Sequence, residues 1–118
     1  MTATEQGART GAQAQVPGID RTDLQHYELS APGRVMIQNR VVISPEAQPI
    51  RHKHPGEEII YVLEGALEYR IDGSEPRTYT AGEALTVPAE TAHSVHGNGT
   101  ELATYIIESG KPFIVLAD

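Results

Sequence analysis

The chain has 118 residues, no cysteine, no tryptophan and a formal net charge of −7. That length suits one compact domain, and the missing cysteines exclude disulfides, thiolate metal sites and cysteine nucleophiles. The acidic balance argues against a nucleic-acid backbone or an anionic membrane surface as partner.

Residues 1–19 read as a mobile tail. Up to Gln15 they are mostly Ala, Thr, Gln and Gly, with few groups able to offset ordering entropy by burial. A single domain is expected over 20–118. Residues 20–29 have a cap-like start and mixed polarity, which fits a short helical turn or irregular structure. Regular structure begins at 34–44, where Val35, Ile37, Val41 and Ile43 share one parity, as in a half-buried strand. Asn39 lies on the same parity. Ser44-Pro45 and Gln48-Pro49 break the chain before a short strand at 49–54. Pro55-Gly56 reads as a turn, 58–63 as a strand, Glu64-Gly65 as a tight turn and 66–71 as the next strand. Asp72-Gly73 leads to 77–80, and Ala81-Gly82 to 84–87. A loop at 88–92 precedes a short strand at 93–96. Asn98-Gly99 carries a strong type I′ hairpin signal, followed by 101–108 and, past Ser109-Gly110, by 113–116. About nine short strands with little helix, punctuated by 11 glycines and 8 prolines, point to a β-sandwich or barrel.

The chemistry concentrates in His52-Lys53-His54-Pro55-Gly56-Glu57-Glu58. Residues i and i+2 of a strand share a face about 6.6 Å apart. His52 and His54 can therefore close on one metal ion, with bonds of about 2.0–2.1 Å for zinc. The turn at Pro55-Gly56 then places Glu58 beside them at the start of the next strand. With Glu58 inward, Ile60 and Val62 line the interior and Tyr61 faces the other side. Asn39 and Val41 share a parity that suits the cavity, so Asn39, Val41, Ile60 and Val62 are the substrate-pocket candidates. Four of the five histidines fall in two clusters, His52/His54 and His93/His96. A closed barrel can bring His93 opposite His54, whereas His96 faces away on a continuing strand. Glu57 reads as a solvated neighbour of Glu58, Glu90 as loop surface, and His26 carries no pattern. Periodicity leaves open whether Thr104, Ile106 and Glu108 or Ala103, Tyr105 and Ile107 face inward.

This pattern resembles the cupin family. The first cupin motif asks for a histidine pair, a carboxylate and a terminal glycine, here His52-x-His54-x-x-x-Glu58 and Gly65. The second asks for a glycine, a proline and a histidine, here Gly82, Pro88 and His93. The resemblance spans about residues 34–107. It departs from the motif at Glu90, which stands at a turn glycine, and at Asn98, which comes one position late. The resemblance implies an all-β fold, a double-stranded β-helix (jelly-roll) cupin barrel, with His52, His54, Glu58 and His93 as ligands of one divalent metal ion. Nitrogen and oxygen donors suit Mn, Fe, Co, Ni, Cu or Zn.

Such a centre carries a local charge of about +1 and stabilises an anionic oxygen. The expected function is a mononuclear metalloenzyme acting on a small oxygen-bearing organic molecule, with dioxygenase-type oxidation favoured. A lyase, isomerase or cyclase using Lewis acidity alone is one alternative, and a non-catalytic small-molecule binder is another. Glu58 is the catalytic candidate, acting as a base if it leaves the metal. No phosphate loop or Ser-His-Asp set stands in recognisable context. The expected partner is a small-molecule substrate, with no nucleic acid and no membrane. No apolar run approaches the roughly 18 residues of a membrane span and no signal-peptide pattern opens the chain, so a cytoplasmic location is expected. A homodimer is expected because small barrels leave edge strands that need covering; the N-terminal segment or the strand at 113–116 could cross to the partner.

Overall fold

The computed structural model describes residues 16–117. Most of the expected mobile tail, residues 1–15, lies outside the described residues. Every regular element among the described residues is a strand: β1 (Ile19–Glu28), β2 (Arg34–Ile43), β3 (His52–Lys53), β4 (Gly56–Ile71), β5 (Arg77–Thr80), β6 (Ala84–Val87), β7 (His93–Glu108) and β8 (Val115–Leu116). They run in the hydrogen-bonded order β1-β2-β7-β3-β8, and β4 pairs with β5, β6 and β7. All pairings are antiparallel. The chain is an all-β barrel, as its turn spacing predicts, with the jelly-roll form that the resemblance implies.

The interior follows the parity read from sequence. Val35, Ile37, Val41 and Ile43 of β2 are buried, as are Ile60 and Val62 of β4. Ala103, Tyr105 and Ile107 are the inward face of β7, which settles the open question for that strand. Each of the Val and Ile side chains contributes about 1.5–3 kcal/mol on full burial. Ile59, Tyr61 and Leu63 stand exposed on the outer face of β4.

Several expectations are corrected. Residues 19–28 form a strand, not a helical turn, with Ile19 opposite Ile43 and Glu28 opposite Val35. This strand lies at the sheet edge and only Ile19 and Arg21 are partly buried, so it lacks the apolar alternation that marks strands in sequence. The fold also begins earlier than residue 20: Ser44 N donates to Gly18 O at 2.9 Å.

The turns at Glu64-Gly65 and Asn98-Gly99 do not form either. Both sit inside the long strands β4 and β7, where Gly65 pairs with Gly99 and Ala66 with Asn98. A register shift falls between Val62 and Glu64, a β-bulge that reverses which parity faces inward. Before it Glu58, Ile60 and Val62 are buried; after it Leu67 and Tyr69 are. Gly65 is in the left-handed region (φ 76°), and a Cβ there would collide with the Asn98 carbonyl. The glycines serve a bend and a close strand approach rather than a chain reversal. Finally, β8 pairs with β3 of its own chain and Phe113 packs in its own core.

Candidate metal centre

Four side chains predicted as ligands converge at one end of the barrel. The ligand atoms of His52, His54, Glu58 and His93 all lie within 4.8 Å of one another. The short β3 lies between β7 and β8, so His52 faces His93 across one ladder and Leu116 across the other. His54 follows just past β3. The chain then enters β4 at Gly56, which is extended rather than left-handed and carries no room for a Cβ, because the Ile106 backbone carbonyl occupies that space. This close approach seats Glu58, two residues on, with its carboxylate inside the barrel.

The imidazoles are held by backbone carbonyls. His52 Nδ1 donates to Ile50 O at 2.7 Å, His54 Nδ1 to Phe113 O at 2.9 Å and His93 Nδ1 to Thr91 O at 2.9 Å. A carbonyl only accepts, so each Nδ1 carries a proton and each Nε2 is the nitrogen left to ligate. Metal-binding histidines are oriented in this way. His54 is wedged further between the Tyr105 and Phe113 rings, at centroid distances of 4.8 and 5.5 Å.

The donor set fits a divalent ion. His54 Nε2 is buried without a hydrogen-bond partner, lying 3.2 Å from Glu58 Oε1 but out of alignment for a bond. An unsatisfied buried nitrogen costs about 1–3 kcal/mol, a cost that a bound cation would remove. His93 Nε2 is 3.1 Å from the same carboxylate oxygen. Burial opposes the charge on Glu58, but the adjacent His54 and His93 imidazoles outweigh it and hold the carboxyl well below the usual range. Burial also lowers the pKa of His93, yet the Glu58 carboxylate raises it more. Burial, with His93 alongside, lowers His52 to about 4, so its imidazole is neutral at physiological pH.

A cavity of about 250 Å³ opens beside the cluster. His52, Glu58 and His93 form part of its wall, and Arg21, Tyr69, Glu101 and Tyr105 line it too. Tyr69 Oη donates to Glu101 Oε1 at 2.6 Å, and Arg21 Nη1 donates to Tyr105 Oη at 3.2 Å. Burial, reinforced by the Glu58 charge, pushes Glu101 up to about 8. The remaining wall is largely aliphatic, with Val41, Ile43, Val95 and Ile114.

The Cupin domain family matches residues 39–110, the span that holds all four converging side chains. This chain is a cupin. No curated protein sequence matches it significantly. Solved structures share the fold. KdgF from a Halomonas species is 24% identical, covers 80% of this chain and 83% of its own, and superposes with a TM-score of 0.63. Pac13 from Streptomyces, described as a unique nucleoside dehydratase, is 20% identical, with 85% and 78% covered and a TM-score of 0.66. A cupin-like protein from Thermotoga maritima is 21% identical, with 84% and 75% covered and a TM-score of 0.64.

The cupin barrel places the other sequence candidates variously. Val41 lines the cavity. Ile60 and Val62 point inward but are fully buried core, outside its wall. Asn39 is buried as well; with its amide nitrogen turned to Asp23 it donates to Asp23 Oδ1 and Gln38 O, each at 3.1 Å, and it too lies outside the wall. These three are removed from the pocket because parity gives a face, not a depth along the barrel. His96 is exposed, 3.3 Å from Pro45 O. Glu90, at the position of the motif's glycine, adopts the left-handed conformation (φ 59°) and its backbone N–H donates to His54 O at 2.9 Å. The turn before His93 thus keeps its shape despite the substitution.

Sequence reasoning missed Arg21, Tyr69, Glu101 and Tyr105. Arg21 sat in a segment not read as a strand. The signal for Glu101 was a carboxylate on the same parity as Ala103, Tyr105 and Ile107.

Proposed function

We propose that this cupin is a mononuclear divalent-metal enzyme that transfers protons on a small oxygen-bearing organic molecule, with Glu101 as the proton donor. The observation that carries this reading is a buried carboxyl, hydrogen-bonded to Tyr69, in the same cavity as the histidine–carboxylate cluster. Held by His52, His54, Glu58 and His93, a divalent ion would supply Lewis acidity toward a substrate oxygen. Tyr69 occupies Oε1 of Glu101, which leaves Oε2 to carry the carboxylic proton. Burial keeps that proton in place at neutral pH, the condition for a general acid. The aliphatic wall keeps bulk water from competing with it.

Oxidation by O2, which the sequence alone favours, has no use for such a group; elimination or isomerisation does. Glu58 fits the ligand role better than that of base, because a carboxylate stabilised by two imidazoles is a weak proton acceptor. Pac13 is described as a dehydratase, and a dehydration is an elimination of water. At 20% identity that likeness speaks for the fold, and the reaction class here stands on Glu101. The reading keeps the cytoplasmic location and the homodimer expected from sequence, with the exposed Ile59, Tyr61 and Leu63 as the face that two copies would share.

The test is turnover without oxygen. Metal-loaded protein is incubated in D2O with small hydroxy- and oxo-compounds, and proton NMR follows loss of water or exchange of carbon-bound hydrogen. Glu101→Gln is expected to keep its metal and lose turnover. Turnover that needs O2, or full turnover by Glu101→Gln, overturns the reading.

A further inference from the structure

We infer that the substrate carries a carboxylate and that Arg21 is the residue that binds it. The inference builds on the enzymatic reading above and names the substrate class it would act on. Arg21 sits on β1 opposite Val41 and lines the cavity. Its Nη1 is engaged by Tyr105 Oη. Its Nε is buried and has no hydrogen-bond partner. The Nε/Nη2 edge is the two-pronged side of a guanidinium, the side that takes both oxygens of a carboxylate in parallel. Here that edge has no protein partner among the described residues.

Its charge also has no ion-pair partner in contact, although Glu58 and Glu101 attract it across the cavity. Among the described residues no carboxylate forms a salt bridge with Arg21. Glu58 is engaged by His54 and His93, and Glu101 is bonded to Tyr69. A guanidinium withdrawn from water without an anion is costly, and a purely structural role at this place would be filled better by an apolar side chain. The arrangement makes sense when an anion enters. Val41, Ile43, Val95 and Ile114 give that anion an aliphatic surface, so the fitting molecule is a small hydroxy or oxo acid with a short hydrocarbon body. Its carboxylate would lie on Arg21, leaving its other oxygen for Glu101 and the metal cluster.

The test uses binding rather than turnover. The probes are 4-methylpentanoate, its neutral amide and inorganic phosphate, titrated calorimetrically into the full chain with and without zinc. The carboxylate is expected to bind at least about tenfold more tightly than the amide, and more tightly than phosphate. Arg21→Gln is expected to erase that preference, and Arg21→Lys, which keeps the charge but not the fork, to retain part of it. Equal binding of carboxylate and amide by the wild type, no binding of the carboxylate, stronger binding of phosphate, or an unchanged preference in Arg21→Gln overturns the inference. The two readings fail separately: carboxylate binding through Arg21 with oxygen-dependent turnover sinks only the proposed reaction, while anaerobic proton transfer indifferent to Arg21→Gln sinks only this one.

Discussion

Replacing Glu101 by Gln should make the metal-free protein more stable at neutral pH while abolishing turnover by the metal-loaded one. The side chain is held at about 8, against an ordinary glutamate value of 4.5, first by burial and then by the Glu58 charge. Between those two pH values the folded chain keeps a proton that the unfolded chain has released. Stability therefore falls as pH rises through that window and is level on either side of it. At about 1.4 kcal/mol per pH unit, the cost at pH 7 is about 3 kcal/mol. Glutamine has the same shape, can still accept from Tyr69 through its oxygen and has no proton to lose. Urea unfolding of both proteins from pH 4 to pH 8.5 is the assay. The two curves should meet near pH 4 and separate by about 3 kcal/mol at pH 7, equivalent to roughly 12 °C or more in Tm for a domain of this size. A difference that does not vary with pH, or a variant less stable at pH 7, would refute the account of Glu101 as a buried neutral acid.

Four further outcomes are expected. His52→Ala, His54→Ala and His93→Ala should each lose tightly bound divalent metal, measured by elemental analysis after dialysis, whereas His96→Ala should match the wild type because its ring is exposed at the surface. Gly56→Ala should cost about 2–3 kcal/mol in denaturant unfolding, since the new methyl meets the Ile106 carbonyl; a loss below about 0.5 kcal/mol would mean the strands can part there freely. Glu90→Gly should gain about 0.5–1 kcal/mol by relieving a left-handed non-glycine residue, since the exposed Lys53–Glu90 pair at 3.5 Å contributes little. Light scattering should show a dimer at micromolar concentration and a monomer for Tyr61→Glu, with a wild-type monomer counting against the β4 face as an interface.

The barrel was legible because its inward residues alternate, and the four converging side chains were legible because the spacing of two histidines, a carboxylate and a distant histidine is chemistry written on strand geometry. What escaped the sequence depends on pairing between distant strands. Glycine at 65 and 99 looks the same whether it turns a chain or lets two strands touch; only the Gly65–Gly99 register distinguishes these. The edge strand β1 has polar residues on both faces because both faces are exposed over most of its length, so no periodicity marked it. Arg21 and Glu101 belong to strands 80 residues apart in sequence, and nothing local announces that they share a cavity. Glu90 shows the converse: a departure from the motif that the backbone absorbed without moving the turn.

The three carbonyls that fix the imidazoles come from Ile50, Thr91 and Phe113. The last of these bears on when the centre can mature. His54 is synthesised well before Phe113, so a nascent chain that already contains all four ligands still lacks the acceptor that sets the His54 tautomer. Cutting the chain before Phe113 should therefore leave every ligand in place and yet give a poorly loaded site. On the proposed reading, metal capture would be tied to the docking of the 113–116 segment along β3, and metal content would report whether the last stretch of the barrel has closed.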